Sequence, residues 1–218
     1  MSPIVFISLG LLAAAGPETD PAFVQQIGPI AKALIEQTGS GNTVSVSQSA
    51  PAQNAMVRQN GSGNQAAVTQ NGAQLHATVD QSGANNIAHI DQQGVQAEAA
   101  LYQAGSGNST MLDQRGMGNN AVLAYQIGTD NALDLSQSGG DSSLTAYQSG
   151  SRNVGTLAQN GSANDLRILQ NGQDNALTFE QNGNGRGDVV QQGHGLVLSM
   201  AQGVGAAPVM IVQTGAGK

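Results

Sequence analysis

The side chains able to carry chemistry are few, and their spacing suits almost none of the common chemistries. The chain of 218 residues has no Cys, so disulfides, thiolate metal sites and thiol nucleophiles are excluded together. His76, His89 and His194 lack metal-ligand spacing. Its Ser and Asp residues form no nucleophile–base constellation along the sequence. Gly139-Gly140-Asp141 matches one fragment of a calcium-binding repeat but never recurs at that period. Arg186-Gly187-Asp188 has the form of an adhesion tripeptide and reads as chance. No catalytic residue, cofactor or metal site is expected. The group the chain does offer repeatedly is the side-chain amide, which donates and accepts hydrogen bonds at once.

Glutamine recurs at Gln48, Gln59, Gln70, Gln81, Gln92, Gln103, Gln114, Gln126, Gln137, Gln148, Gln159, Gln170, Gln181, Gln191, Gln202 and Gln213. Thirteen of the fifteen intervals are 11 residues, one is 12 and one is 10. Six residues before the Gln stands an asparagine in nine units: Asn42, Asn64, Asn86, Asn108, Asn120, Asn131, Asn153, Asn164 and Asn175. A Gly follows two residues after the Gln in fourteen of the sixteen units.

The elements that must position these amides follow from the residues between them. With Asn at position 0 and Gln at position 6, positions 2 and 4 are apolar at 29 of 32 places. All eleven charged residues within the units fall at odd positions, from Arg58 and Asp80 to Arg186 and Asp188. Segregation with period two means a strand with one buried and one wet face. The Gly-centred spacers supply the positive φ that a tight reversal needs. Up to Ala97, Asn alternates with other residues at position 0, so the larger period there is 22 residues and favours a coil over a meander. The expected fold is an all-β β-solenoid of about eight two-strand rungs over residues 42–215. Strand n stacks on strand n+2 at about 4.7–4.8 Å. Asn then stacks on Asn and Gln on Gln, so buried amides are satisfied by their own copies in adjacent rungs. At outward position 5, Tyr102, Tyr125 and Tyr147 are expected to form a surface aromatic column, and Asp91 and Asp113 a like-charge pair that brakes assembly.

Composition agrees with a thin repetitive object. Only 10% of residues are charged and 3% aromatic, while Gly supplies 30, so a thick enzyme core has too little to fill it. A net charge of −7 with seven basic residues argues against nucleic acid as a partner. Ile4–Ala15 is an apolar run too short to span a bilayer, ending in Ala13-Ala14-Ala15. Residues 1–15 therefore read as a signal peptide, and the mature chain as exported and without a membrane-spanning segment. Residues 16–41 read as a separate lead-in with a helical stretch over Ile30–Gln37, and 216–218 as a tail.

The unit Ala55-Met-Val57-Arg-Gln59-Asn-Gly61-Ser-Gly-Asn64-Gln-Ala66-Ala-Val68-Thr-Gln70 resembles the curlin repeat of bacterial curli fibres, in its nucleator form, and Ala77–Gln92 repeats the match. The resemblance covers residues 42–215. It implies a secreted, extracellular subunit that polymerises with itself and with other curlin subunits by stacking coils end to end, in biofilm matrix and adhesion. It also implies an outer-membrane secretion and assembly machinery as partner. The competing class is a soluble extracellular β-solenoid binding module for ice or carbohydrate. The mixture of Thr, Asp, Arg, Tyr and Ala at outward positions disfavours a flat ice-binding array. Pro208 removes one ladder N–H from the final strand.

Overall fold

The computed structural model describes residues 10–13, 20–26 and 30–216. The chain winds as a parallel β-solenoid of about nine turns, and the described residues contain no helix. The first strands are β1 (Gly10–Ala13), β2 (Ala22–Gln26), β3 (Lys32–Ser40), β4 (Thr43–Gln48), β5 (Asn54–Ser62), β6 (Gln65–Ala73) and β7 (His76–Ala84). Strands β8 (Ile87–Ser106) and β9 (Ser109–Thr129) each run through two sides of the coil. The series continues with β10 (Ala132–Gly140), β11 (Ser143–Ser151), β12 (Val154–Ser162), β13 (Asp165–Gln173) and β14 (Ala176–Asn182). It closes with β15 (Arg186–His194), β16 (Val197–Gln202) and β17 (Val209–Ala216).

Every second strand pairs in parallel and in register. Thr43–Gln48 lies on Gln65–Gln70, and Asn54–Ser62 on His76–Ala84, each 22 residues on. Two faces result, one carrying β2, β4 and β6 and the other β3, β5 and β7. Positions 2 and 4 of both faces meet in one narrow core running the length of the coil, from Ala33 and Ile35 to Leu177, Phe179 and Val189. The inward exceptions stay inside: Thr110 is buried and donates through Oγ1 to Gln126 Oε1 at 2.7 Å. A Cβ on inward Gly187 would crowd Phe179 and Leu166, so its neighbours already fill that space.

Turn glycines explain themselves by the same stacking. Gly94 has φ 123°, and a Cβ there would collide with the carbonyl oxygen of Gly116 in the next rung. The two irregular intervals are absorbed without disturbing the ladders. The extra residue lies between Gln114 and Gln126, where Met117 stands out exposed, yet Tyr102 still meets Tyr125 and Gln103 meets Gln126. The missing residue lies between Gln181 and Gln191, and Gln170 still meets Gln191.

Two expectations are corrected. Ile30–Gln37 is not helical: Lys32–Ser40 is β3, paired in register with Asn54–Ser62. Its helix-forming residues are overridden by the alternation of Ala31, Ala33, Ile35 and Gln37, which are all buried. The coil does not begin at residue 42, because β2 and β3 form an earlier rung, and Lys32 belongs to the patterned region. The turns, about nine, agree with the expected solenoid of about eight two-strand rungs. The segment read as a leader lies outside the described residues except for β1, which pairs with β3. Of the tail, 217–218 lie outside them, and β17 reaches Ala216.

Candidate functional site: amide ladders and the ends of the coil

The buried glutamines form two continuous ladders, one behind each face. On the face of β2, Gln26 donates through Nε2 to Gln48 Oε1 at 2.7 Å, Gln48 to Gln70 at 2.8 Å and Gln70 to Gln92 at 2.9 Å. The same column continues through Gln114, Gln137, Gln159 and Gln181 to Gln202. The other column runs from Gln37 through Gln59, Gln81, Gln103, Gln126, Gln148, Gln170 and Gln191 to Gln213. Most of these amides spend their second hydrogen on a backbone carbonyl across the core, as Gln92 Nε2 does on His76 O at 3.0 Å. A polar group that is costly to bury is thus saturated at nearly every rung.

Asparagines do not all share one column. Asn42, Asn64, Asn86, Asn108, Asn131, Asn153 and Asn175 form a single ladder in which each Nδ2 donates to the Oδ1 of the preceding rung, at 2.9–3.1 Å. Asn120 and Asn164 stand on the other face with Ser142 between them, linked by Ser142 N to Asn120 Oδ1 and Asn164 N to Ser142 Oγ. Three residues belong to this system that the sequence reading left out. Gln26 and Gln37 begin the glutamine columns, and Asp20 caps the asparagine ladder by accepting from Asn42 N at 2.9 Å and Nδ2 at 3.3 Å. Counting back in steps of 11 from Gln48 reaches both glutamines, so their signal is in the sequence.

On the outer surface, Tyr102 and Tyr125 stack with centroids 4.7 Å apart and planes at 12°, while Tyr147 is tilted at 6.3 Å from Tyr125. Below the same column Arg58 pairs with Glu36 at 2.9 Å. On the other face Asp91 stands directly over Asp113, whose carboxylate holds Arg115 at 2.6 Å. Partial burial pushes the Asp113 carboxyl above its usual range; Asp91 and Asp134 push the same way, and Arg115 opposes them. The hydrogen bond from Arg152, at 2.6 Å, holds Asp174 below the usual carboxylate range. Among the described residues no three of His, Cys, Asp and Glu gather where an ion would need them. None of their helices is long and apolar enough to cross a membrane, since none is present.

The ends differ from the middle. Ala22 and Val24 in the first rung, and Leu198, Met200 and Ile211 in the last, face inward but are only partly buried. Gln26 Oε1 and Gln37 Oε1 are buried without a hydrogen-bond partner among the described residues.

A parallel β-solenoid held by in-register side-chain amide ladders defines a class of repeat protein whose every rung is a template for another. The curlin associated repeat matches residues 54–83, 105–139 and 139–172, and the same spacing continues between and beyond these matches. These matches make the chain similar to the curlin family, a family of structural fibre subunits. No curated protein matches the chain.

Proposed function

We propose that this chain is a secreted structural subunit that assembles with its own copies, by end-to-end stacking of coils, into a curli-type amyloid fibre of biofilm matrix and cell surface. In this reading residues 1–15 are a signal peptide removed after Ala15, and an outer-membrane secretion and assembly machinery exports the rest. Its repeats of nucleator form fit it to start a fibre as well as extend one, together with other curlin subunits. The observation that carries the reading is the state of the coil's ends, where inward-facing Ala22, Val24, Leu198, Met200 and Ile211 are only half covered. A sheet edge with unpaired backbone groups and a half-open core templates another strand unless something blocks it.

Fibre diffraction on residues 16–218, released from denaturant and left to assemble, tests the reading. The expected result is spontaneous fibres with a meridional reflection near 4.7–4.8 Å. A chain that stays monomeric, folded and β-rich would refute assembly and make a soluble binding module the working answer.

A further inference from the structure

Phenols are the scarcest reactive groups of the chain and the most concentrated. It has three tyrosines, and all three stand in one outward column on consecutive rungs. Asp80 precedes them in register and Leu169 follows. With no Trp and no Cys, tyrosine is the side chain that gives up a single electron most readily. A phenoxyl radical formed there also finds no thiol in the chain to return a hydrogen atom to it.

The geometry selects one pair. Tyr102 on β8 and Tyr125 on β9 are directly opposed along the backbone, and their rings lie nearly parallel with centroids 4.7 Å apart. Tyr147 on β11 is in register as well, but its ring is tilted by 45° at 6.3 Å from Tyr125. These rings are only half-buried, so they are open to an oxidant arriving from solvent. Beside the first pair, the small side chains of Ser82 and Ala104 leave a hollow of about 240 Å³, bounded also by Asp80 and Ile127. It gives the two rings room to turn from face-to-face to edge-to-edge, the approach that a bond between their ortho carbons needs.

We propose that Tyr102 and Tyr125 form an oxidative coupling site, at which a one-electron oxidant, a haem peroxidase fed with hydrogen peroxide, joins the two rings through their ortho carbons. Each phenol gives up one electron and its O–H proton, and the two electrons and two protons reduce one hydrogen peroxide to two waters. The two phenoxyl radicals combine to form one C–C bond. The hydrogen on each newly bonded carbon then leaves as a proton, and one proton returns through solvent to each oxygen, restoring both phenols. The chain becomes lighter by two hydrogens. The new bond ties β8 to β9 just past the register shift between Val95 and Ala97. In a chain without disulfides it is a covalent staple across that irregular turn, closing a loop in the unfolded chain as a disulfide does.

Trypsin makes the pairing readable. Cleavage after Arg58, Arg115 and Arg152 places Tyr102 in residues 59–115 and both Tyr125 and Tyr147 in residues 116–152. Freshly desalted, folded chain treated with peroxidase and hydrogen peroxide is expected to gain ortho-biphenol fluorescence while staying monomeric on a denaturing gel. Its digest should contain 59–115 joined to 116–152 with two hydrogens lost. Oxygen taken up by exposed Met111 and Met117 adds mass instead, so the two reactions are told apart. Tyr147→Phe should keep the joined peptide. Tyr125→Phe should lower it at least about tenfold, because Tyr102 and Tyr147 stand two rungs, roughly 9.6 Å, apart. Both variants keep an aromatic ring in the column, and far-UV circular dichroism verifies their fold. Tyrosines of copies stacked end to end never meet, since the column opens at Glu36 and closes at Val212, so the result is independent of the assembly reading. Coupling of Tyr125 to Tyr147 in equal or greater amount would overturn the proposal, because the chain spacing of the two pairs is nearly the same and only the stack distinguishes them. Covalent oligomers in place of monomers, or no biphenol at all, would overturn it too.

Discussion

Replacing Gln92 by leucine tests whether the amide ladder, rather than the apolar core beside it, holds the rungs together. Gln92 is fully buried, accepts from Gln70 Nε2 at 2.9 Å, donates to Gln114 Oε1 at 2.9 Å and donates to His76 O at 3.0 Å. Leucine removes all three bonds and leaves Gln114 Oε1 with no partner and Gln70 Nε2 short of one. A buried polar group left unsatisfied costs about 1–3 kcal/mol, so at mid-range two such groups plus a weakened carbonyl amount to roughly 5 kcal/mol. The added apolar surface returns about 1–2 kcal/mol, so the net loss is roughly 3–4 kcal/mol. Gln213→Leu is the internal control, because Gln213 is only partly buried and gives up one donor bond, to Val197 O, and one acceptor bond, from Gln191. Its loss should be about 1 kcal/mol. Urea unfolding of freshly desalted chain, followed by far-UV circular dichroism before assembly, measures both. Equal midpoints for Gln92→Leu, Gln213→Leu and the unsubstituted chain would refute the argument and assign the stability to Ala and Val packing alone.

Three further outcomes follow from single sites. Gly94→Ala should cost about 3 kcal/mol or more, from the positive φ and the collision with Gly116, whereas Gly205→Ala, with nothing near its Cβ, should cost about 1 kcal/mol; similar unfolding midpoints would contradict the stacked-turn geometry. The raised carboxyl of Asp113 means that the folded chain binds this proton more tightly than the unfolded chain. Stability should therefore rise as pH falls from neutral towards the carboxylate range. Asp174, held low by Arg152, loses its contribution only at still lower pH. Asp113→Asn should flatten the upper limb of the pH–stability curve, and an unchanged limb would remove Asp113 from its cause. Pro208 precedes β17 at an outward position, where other rungs send an N–H forward, so Pro208→Ala restores a donor to the joining edge. Seeded fibres of that variant should elongate faster, and equal rates would show that one missing bond is tolerated.

Much of this architecture is legible in the sequence because burial and exposure alternate residue by residue. Val44, Val46 and Gln48 declare the inside of a strand, and Thr43, Ser45 and Ser47 its outside, without any tertiary information. The step of 11 residues then fixes which amide meets which. The first rung was obscured by local preference: Ile30–Gln37, following Pro29, has the composition of a short helix, and only stacking against Asn54–Ser62 makes it a strand. Splitting of the asparagines between two faces was implicit in their numbers, since Asn120 and Asn164 lie 44 apart and an odd count of units from the others. The diversion of Gln202 to Ala207 was not legible at all, because it depends on how the chain bends through Gly203–Ala206.

Direction distinguishes the two kinds of ladder. The glutamine columns donate forward and the asparagine column donates backward, as Asn64 Nδ2 does to Asn42 Oδ1. The two sets of amide dipoles partly oppose each other, so adding rungs does not accumulate a large axial dipole from the side chains. Their ends are finished differently. The asparagine column starts on the carboxylate of Asp20, which only accepts, and stops at Leu196, whose N–H donates to Asn175 Oδ1 but whose side chain offers no amide. It is closed within one chain. Both glutamine columns run on to the edges, with Gln26 and Gln37 lacking a donor at one end and Gln213 keeping a free amide hydrogen at the other. Among the ladders, only the glutamine columns thus reach the edges of the coil unfinished. Converting Leu196 to Asn would extend the asparagine ladder one rung to the C-terminal edge, with its Oδ1 left as a free acceptor there.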